Sequence, residues 1–101
     1  MDKESLALEW LSKYLGKAIT IEEVGYESNA FDFDELDEML IPGIHYAVFK
    51  EQDQLMTHVY VYESVMVYMI HPLKEEPPSQ ILIGLMDGNE LVQYQLIRGD
   101  V

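Results

Sequence analysis

The sequence predicts an α+β fold, with two N-terminal helices packed on an antiparallel sheet of five or six strands. Three observations carry that expectation. Residues 4–15 repeat apolar side chains at helical spacing, residues 33–41 do so over a shorter stretch, and residues 44–97 run mostly in short segments of β-branched or alternating character.

In the first helix, Leu6, Ala7, Trp10, Leu11, Tyr14 and Leu15 recur at i, i+3, i+4 spacing, and Gly16 supplies the stop. Residues 18–25 are β-branched with partial alternation and predict a short strand. Asp32 or Asp34 can cap a second helix over 33–41, which turns Phe33, Leu36, Met39 and Leu40 inward and ends at Pro42-Gly43. Strands are then expected over 44–50, 55–62, 65–71, 80–86 and 90–97, and the sequence leaves open whether 55–71 is one bent strand or two. Turns fall at residues 51–54 and 87–89, and Lys74–Ser79 is expected as a surface loop.

The chain has 101 residues, 49% of them hydrophobic, and eleven aromatics, enough for one core and too little for two. Residues 1–101 are accordingly read as a single domain. The absence of cysteine excludes disulfides, thiolate metal sites and cysteine nucleophiles. No apolar span or leader pattern is visible, so the expected location is the cytoplasm.

Charge is the most informative property. Nineteen acids face six Lys and Arg, giving a net charge of -13, which excludes grip on a phosphate backbone and favours basic protein partners. Between Ala18 and Phe49 there is no Lys or Arg at all. Within that stretch Glu22, Glu23, Glu27, Asp32, Asp34, Glu35, Asp37 and Glu38 alternate with apolar residues, the pattern of a folded acidic element.

Catalytic motifs are missing: there is no phosphate-cradling glycine loop, paired-histidine helix, calcium loop or nucleophile elbow. His45, His58 and His71 fall in separate strand patterns with no ligand spacing, so no metal site and no cofactor are expected. The methionines and the Tyr60, Tyr62, Tyr68 series read as core and sheet surface. The protein is not expected to be an enzyme.

If 34–38 is α-helical, its four carboxylates occupy about 7.5 Å of axis, roughly one charge per 1.9 Å. Duplex DNA carries one per about 1.7 Å. Such a stripe fits a groove lined with Lys and Arg.

Several segments, in order, carry a more specific likeness. Gly16-Lys17 precedes Ala18-Ile19-Thr20-Ile21-Glu22-Glu23, Tyr26-Glu27-Ser28 stands ahead of the acidic stretch, and that stretch ends in Met39-Leu40-Ile41-Pro42. Beyond them come the tyrosine-rich run 55–63, Ile70-His71-Pro72 and the run 80–87. In this order the chain resembles the proteinaceous inhibitors of uracil-DNA glycosylase, chiefly the staphylococcal and more distantly the Bacillus phage members. Asn29 stands where those members have Ile.

The resemblance implies a DNA mimic that fills the glycosylase's DNA-binding groove in a one-to-one complex and blocks uracil excision. It places Glu27 and Ser28 at the active-site region, or Glu23 in the alternative alignment. Asp34, Glu35, Asp37 and Glu38 become the phosphate mimics. Leu36, Met39 and Leu40, with Val59 and Val61, line a pocket for the apolar side chain the enzyme otherwise inserts into DNA. Direct nucleic-acid or membrane binding is not implied. The alternatives are an acidic mimic aimed at another DNA-binding protein (a nuclease, restriction enzyme or CRISPR effector) and a non-catalytic acidic adaptor.

Overall fold

A computed structural model describes residues 2–38, 41–74 and 80–99. Helix α1 spans Lys3–Leu15. Its start is fixed by Asp2, whose Oδ1 accepts from the Ser5 amide at 2.7 Å, and that bond holds the Asp2 carboxyl below its ordinary pKa. Its end is fixed by Gly16, in the left-handed region at φ 70°, whose amide donates to the Ser12 carbonyl at 2.9 Å.

Five strands follow: β1 Gly25–Asp32, β2 Gln54–Tyr62, β3 Val65–Pro72, β4 Gln80–Asp87 and β5 Glu90–Gly99. They form one antiparallel sheet in the order β1-β2-β3-β4-β5, so each strand pairs with its neighbour in sequence and β1 and β5 are the edges. Residues 55–71 are two strands, with Tyr62 opposite Val65 across the Glu63-Ser64 turn.

Both faces of the sheet are covered, which is why β3 is buried along its whole length. On one face Tyr60, Val67, Met69, Ile81 and Ile83 pack with Ala7 and Leu11 of α1 and with Ile19. On the other, Leu55, Met66, Tyr68, Ile70 and Leu82 pack with Phe31, Ile44, Tyr46 and Phe49. The second cover is an irregular segment, not a helix. No helix among the described residues is long and apolar enough to cross a membrane.

Three expectations from the sequence are corrected. Residues 18–25 do not form a strand: Ile21–Glu23 is a 3₁₀ turn, and β1 begins at Gly25. Glu23 folds back on Thr20, its Oε2 accepting from the Thr20 amide at 3.0 Å, and this reciprocal cap outweighs the β-branched propensity of the segment.

Nor do the described residues of 33–41 form a second α-helix. Phe33–Glu38 is a 3₁₀ helix, and Met39 and Leu40 lie outside the described residues. An α-helix here would place Asp34 against Asp37 and Glu38, and Glu35 against Glu38, all like-charge pairs at i, i+3 or i, i+4. Six residues give too little propagation to offset that repulsion.

The segment 44–50 is a 3₁₀ turn over Tyr46–Phe49. The buried Gln80 side chain occupies the backbone of His45 on both sides. Its Oε1 accepts from the His45 amide at 2.8 Å and its Nε2 donates to the His45 carbonyl at 3.0 Å. A strand needs those groups for a ladder. Gly43, at φ 92°, turns the chain onto the sheet, and a Cβ there would meet the Tyr94 ring at 2.5 Å.

Candidate functional site

The acidic surface is built on the β1 edge. Pairing with β2 fixes which way each residue points: Gly25 lies opposite Val61, Glu27 opposite Val59 and Phe31 opposite Leu55. Because side chains alternate along a strand, these face the layer formed by Ile44, Tyr46 and Phe49. Tyr26, opposite Tyr60, and Ser28, opposite His58, face the α1 side.

Glu27 borders a shallow hollow of about 260 Å³ lined by Gly25, Tyr26, Val59 and Val61. Val59 packs on the core beneath and Val61 is exposed, so the hollow is apolar at its floor and acidic at its rim. Of the expected pocket residues, Val59 and Val61 therefore stand together beside Glu27. Met39 and Leu40 lie outside the described residues.

Asp32, Asp34 and Glu35 are exposed where β1 runs into the 3₁₀ helix. The Glu35 Oε1 accepts from the Asp32 amide at 3.2 Å, which tightens the corner. Leu36, Asp37 and Glu38 continue the same turn. At the 3₁₀ rise of about 2.0 Å per residue, 34–38 cover about 10 Å, roughly one carboxylate per 2.5 Å. The charge is more dilute than the α-helical estimate, and on β1 Asp32, opposite Gln54, points to the other face from Glu27. Glu23 is committed to the Thr20 cap, whereas Glu27 projects from the strand and leaves its carboxylate on the surface.

Lys74 borders the same hollow as Asp32, and other bases are paired elsewhere. Lys13 pairs with Glu9 on α1 at 3.6 Å, and Lys17 donates to the Tyr62 hydroxyl at 2.6 Å. That bond to Tyr62 raises the Lys17 pKa, so its charge is retained.

A second cluster lies on the α1 side of the same edge, and sequence spacing gave no sign of it. His71 Nδ1 lies 2.7 Å from the Pro72 carbonyl, His71 Nε2 lies 3.0 Å from His58 Nε2, and His58 Nδ1 lies 2.8 Å from the Tyr26 hydroxyl. A carbonyl only accepts, so His71 carries its proton on Nδ1. His58 and His71 lie in separate strands, as the sequence predicts, and His45 lies outside any strand, at the start of the 3₁₀ turn. His58 and His71 are both buried and meet diagonally across β2 and β3, since His58 is opposite Met69 and His71 is opposite Met56. The β2–β3 register creates this meeting, and no motif announces it.

No family model, curated protein or solved structure matches the chain. The likeness to glycosylase inhibitors therefore rests on the sequence segments themselves. Among the described residues no three His, Asp or Glu side chains are grouped to hold a metal ion.

Proposed function

We propose that the protein is a DNA-mimic inhibitor of uracil-DNA glycosylase, acting as a stoichiometric binding partner and not as an enzyme. The observation that carries this reading is the β1 edge. Glu27 rims an apolar hollow on one face of the strand, and at its far end Asp32, on the opposite face, leads into the acidic corner of Asp34 and Glu35.

Charge and hollow divide the work. Carboxylates on a chain of net charge -13 attract a Lys- and Arg-lined groove and raise the association rate. Charge alone would lose its hold as salt rises. The apolar floor of Val59 and Val61 offers desolvated contact to an inserted side chain, which slows release. Glu27 at the rim accepts hydrogen bonds where the enzyme otherwise meets a phosphate, and Glu27 suits this better than Glu23, whose carboxylate is engaged within its own turn.

The test is to add the purified chain to a bacterial uracil-DNA glycosylase with uracil-containing duplex and to measure abasic-site formation. Loss of excision that titrates to a one-to-one endpoint supports the reading. Undiminished excision at large excess of the chain overturns it and leaves other basic DNA-binding proteins as targets for the same surface.

A further inference from the structure

The two edges of the sheet differ in charge. β1 carries Glu27 and Asp32, and charged side chains on an edge strand deter the addition of another strand. β5 has no charged residue from Leu91 to Ile97, is the longest strand, and among the described residues pairs with no strand other than β4. Val92 is 54% exposed there and Tyr94 48% exposed. On a chain of net charge -13, this is the edge that a second chain of the same sign approaches against the least repulsion.

The sequence of β5 is close to a palindrome about Tyr94. On either side of it Gln93 matches Gln95, Val92 matches Leu96 and Leu91 matches Ile97, while Glu90 answers Arg98 with the opposite charge. A two-fold contact sets residue i of one copy against j of the other and j against i. An antiparallel ladder admits such an axis at any residue pair. With the axis at Tyr94, amide meets amide, apolar meets apolar, and acid meets base at the ends.

Faces agree as well. Gln93 is opposite Leu85 and Gln95 is opposite Ile83, both of which pack on the α1 side. The β4–β5 ladder skips Val92 and Ile97, and these two irregularities turn Glu90, opposite Asp87, and Arg98, opposite Ile81, to that same side. Side chains that pair across strands must share a face, and these do. Arg98 already has an interaction within its own chain, and its five N–H donors are enough to serve a carboxylate from another copy in addition. Tyr94, opposite Gly84, lies on the other side, where two such rings meet at the axis.

We propose that β5 pairs antiparallel with β5 of a second copy about a two-fold axis at Tyr94, joining two five-stranded sheets into one of ten strands. The assembly closes on itself, because it uses both β5 edges and leaves the acidic β1 edges outermost. The stretch from Glu90 to Arg98, at about 3.4 Å per residue, makes a contact about 30 Å long and one strand deep. That is small for an obligate dimer, so monomer and dimer exchange with concentration. β1 is the far edge, so the dimer leaves both Glu27 surfaces open and stands or falls independently of the partner proposed for them.

The experiment is sedimentation equilibrium of the full chain over a concentration series up to about 1 mM, paired with amide hydrogen exchange read residue by residue by NMR. The dimer fraction should rise with concentration and rise further with added salt, which screens the repulsion between two acidic chains. Exchange at β5 amides should slow as the dimer fills, with β1 amides unchanged. The exposed Gln93 and Gln95 test the register. Gln93→Glu with Gln95→Glu opposes like charges twice across the axis and should weaken the dimer about tenfold. Gln93→Lys with Gln95→Lys should weaken it as much, although it makes the chain less negative. Gln93→Lys with Gln95→Glu opposes unlike charges and should leave the dimer at least as tight as in the native chain. The wild-type exchange pattern decides the matter even if a variant fails to fold. A monomer at every concentration, protection at β1 in place of β5, or equal effects of the three double variants overturns the proposal.

Discussion

Glu27 and Ser28 are consecutive in the chain and lie on opposite faces of the β1 edge, Glu27 across from Val59 and Ser28 across from His58. A groove that receives the Glu27 face meets Ser28 only by wrapping around the strand. Glu27→Gln should raise the inhibition constant about tenfold or more, the loss expected of a charge-assisted hydrogen bond. Ser28→Ala should change it by less. Equal losses, measured by titrating glycosylase activity, would show that the partner straddles the edge.

Val61 is an exposed wall of the hollow that Glu27 rims. Val61→Asn should speed release of the complex and leave the association rate little changed, since it spoils apolar contact without altering charge. In the unmodified chain, inhibition should outlast the salt concentration that frees the enzyme from DNA. Stopped-flow binding over a salt series checks both statements.

Asp34 and Glu35 stand at the exposed corner after β1. The pair Asp34→Asn and Glu35→Gln should slow association and flatten its dependence on ionic strength, with dissociation nearly constant. Unchanged association kinetics would remove this corner from the encounter surface.

Gln80 bridges the amide and the carbonyl of His45 from a fully buried position. Gln80→Leu keeps much of the volume but strands the His45 amide, while the His45 carbonyl keeps the Val48 amide as a donor. At about 1–3 kcal/mol for a buried group left unpaired, the variant should lose about 1–3 kcal/mol by denaturant unfolding. A loss below 1 kcal/mol would mean that water replaces the side chain.

Burial, helped by Tyr26, pushes the Tyr60 hydroxyl up to about 12, and burial likewise raises Tyr46 and Tyr68, whose hydroxyls lie 3.2 Å apart. Folding therefore favours the neutral phenols. Their contribution is complete below the unfolded value of about 10 and is lost as pH rises through the folded values. Stability should be flat from neutral pH to about 9 and fall between 10 and 12. The unfolding midpoint against pH, followed alongside phenolate absorbance, tests the sign. Tyr60→Phe should lessen the decline.

The sequence by itself determined helix α1, the extended character of 55–71, 80–86 and 90–97 and the uniform charge between Ala18 and Phe49, because these follow from local spacing, local caps and composition, whereas the division of 55–71 into two strands came from the β2–β3 pairing. Only the tertiary structure decided the rest. Residues 25–32 have little β-branched character and become a strand because β2 offers a continuous ladder and Phe31 anchors the end. Residues 44–50 alternate like a strand and become a turn because Gln80, thirty-five residues away, takes their backbone groups. The faces of Glu27 and Ser28 and the meeting of His58 with His71 depend on strand register. Register is a relation between distant segments, and no local period encodes it.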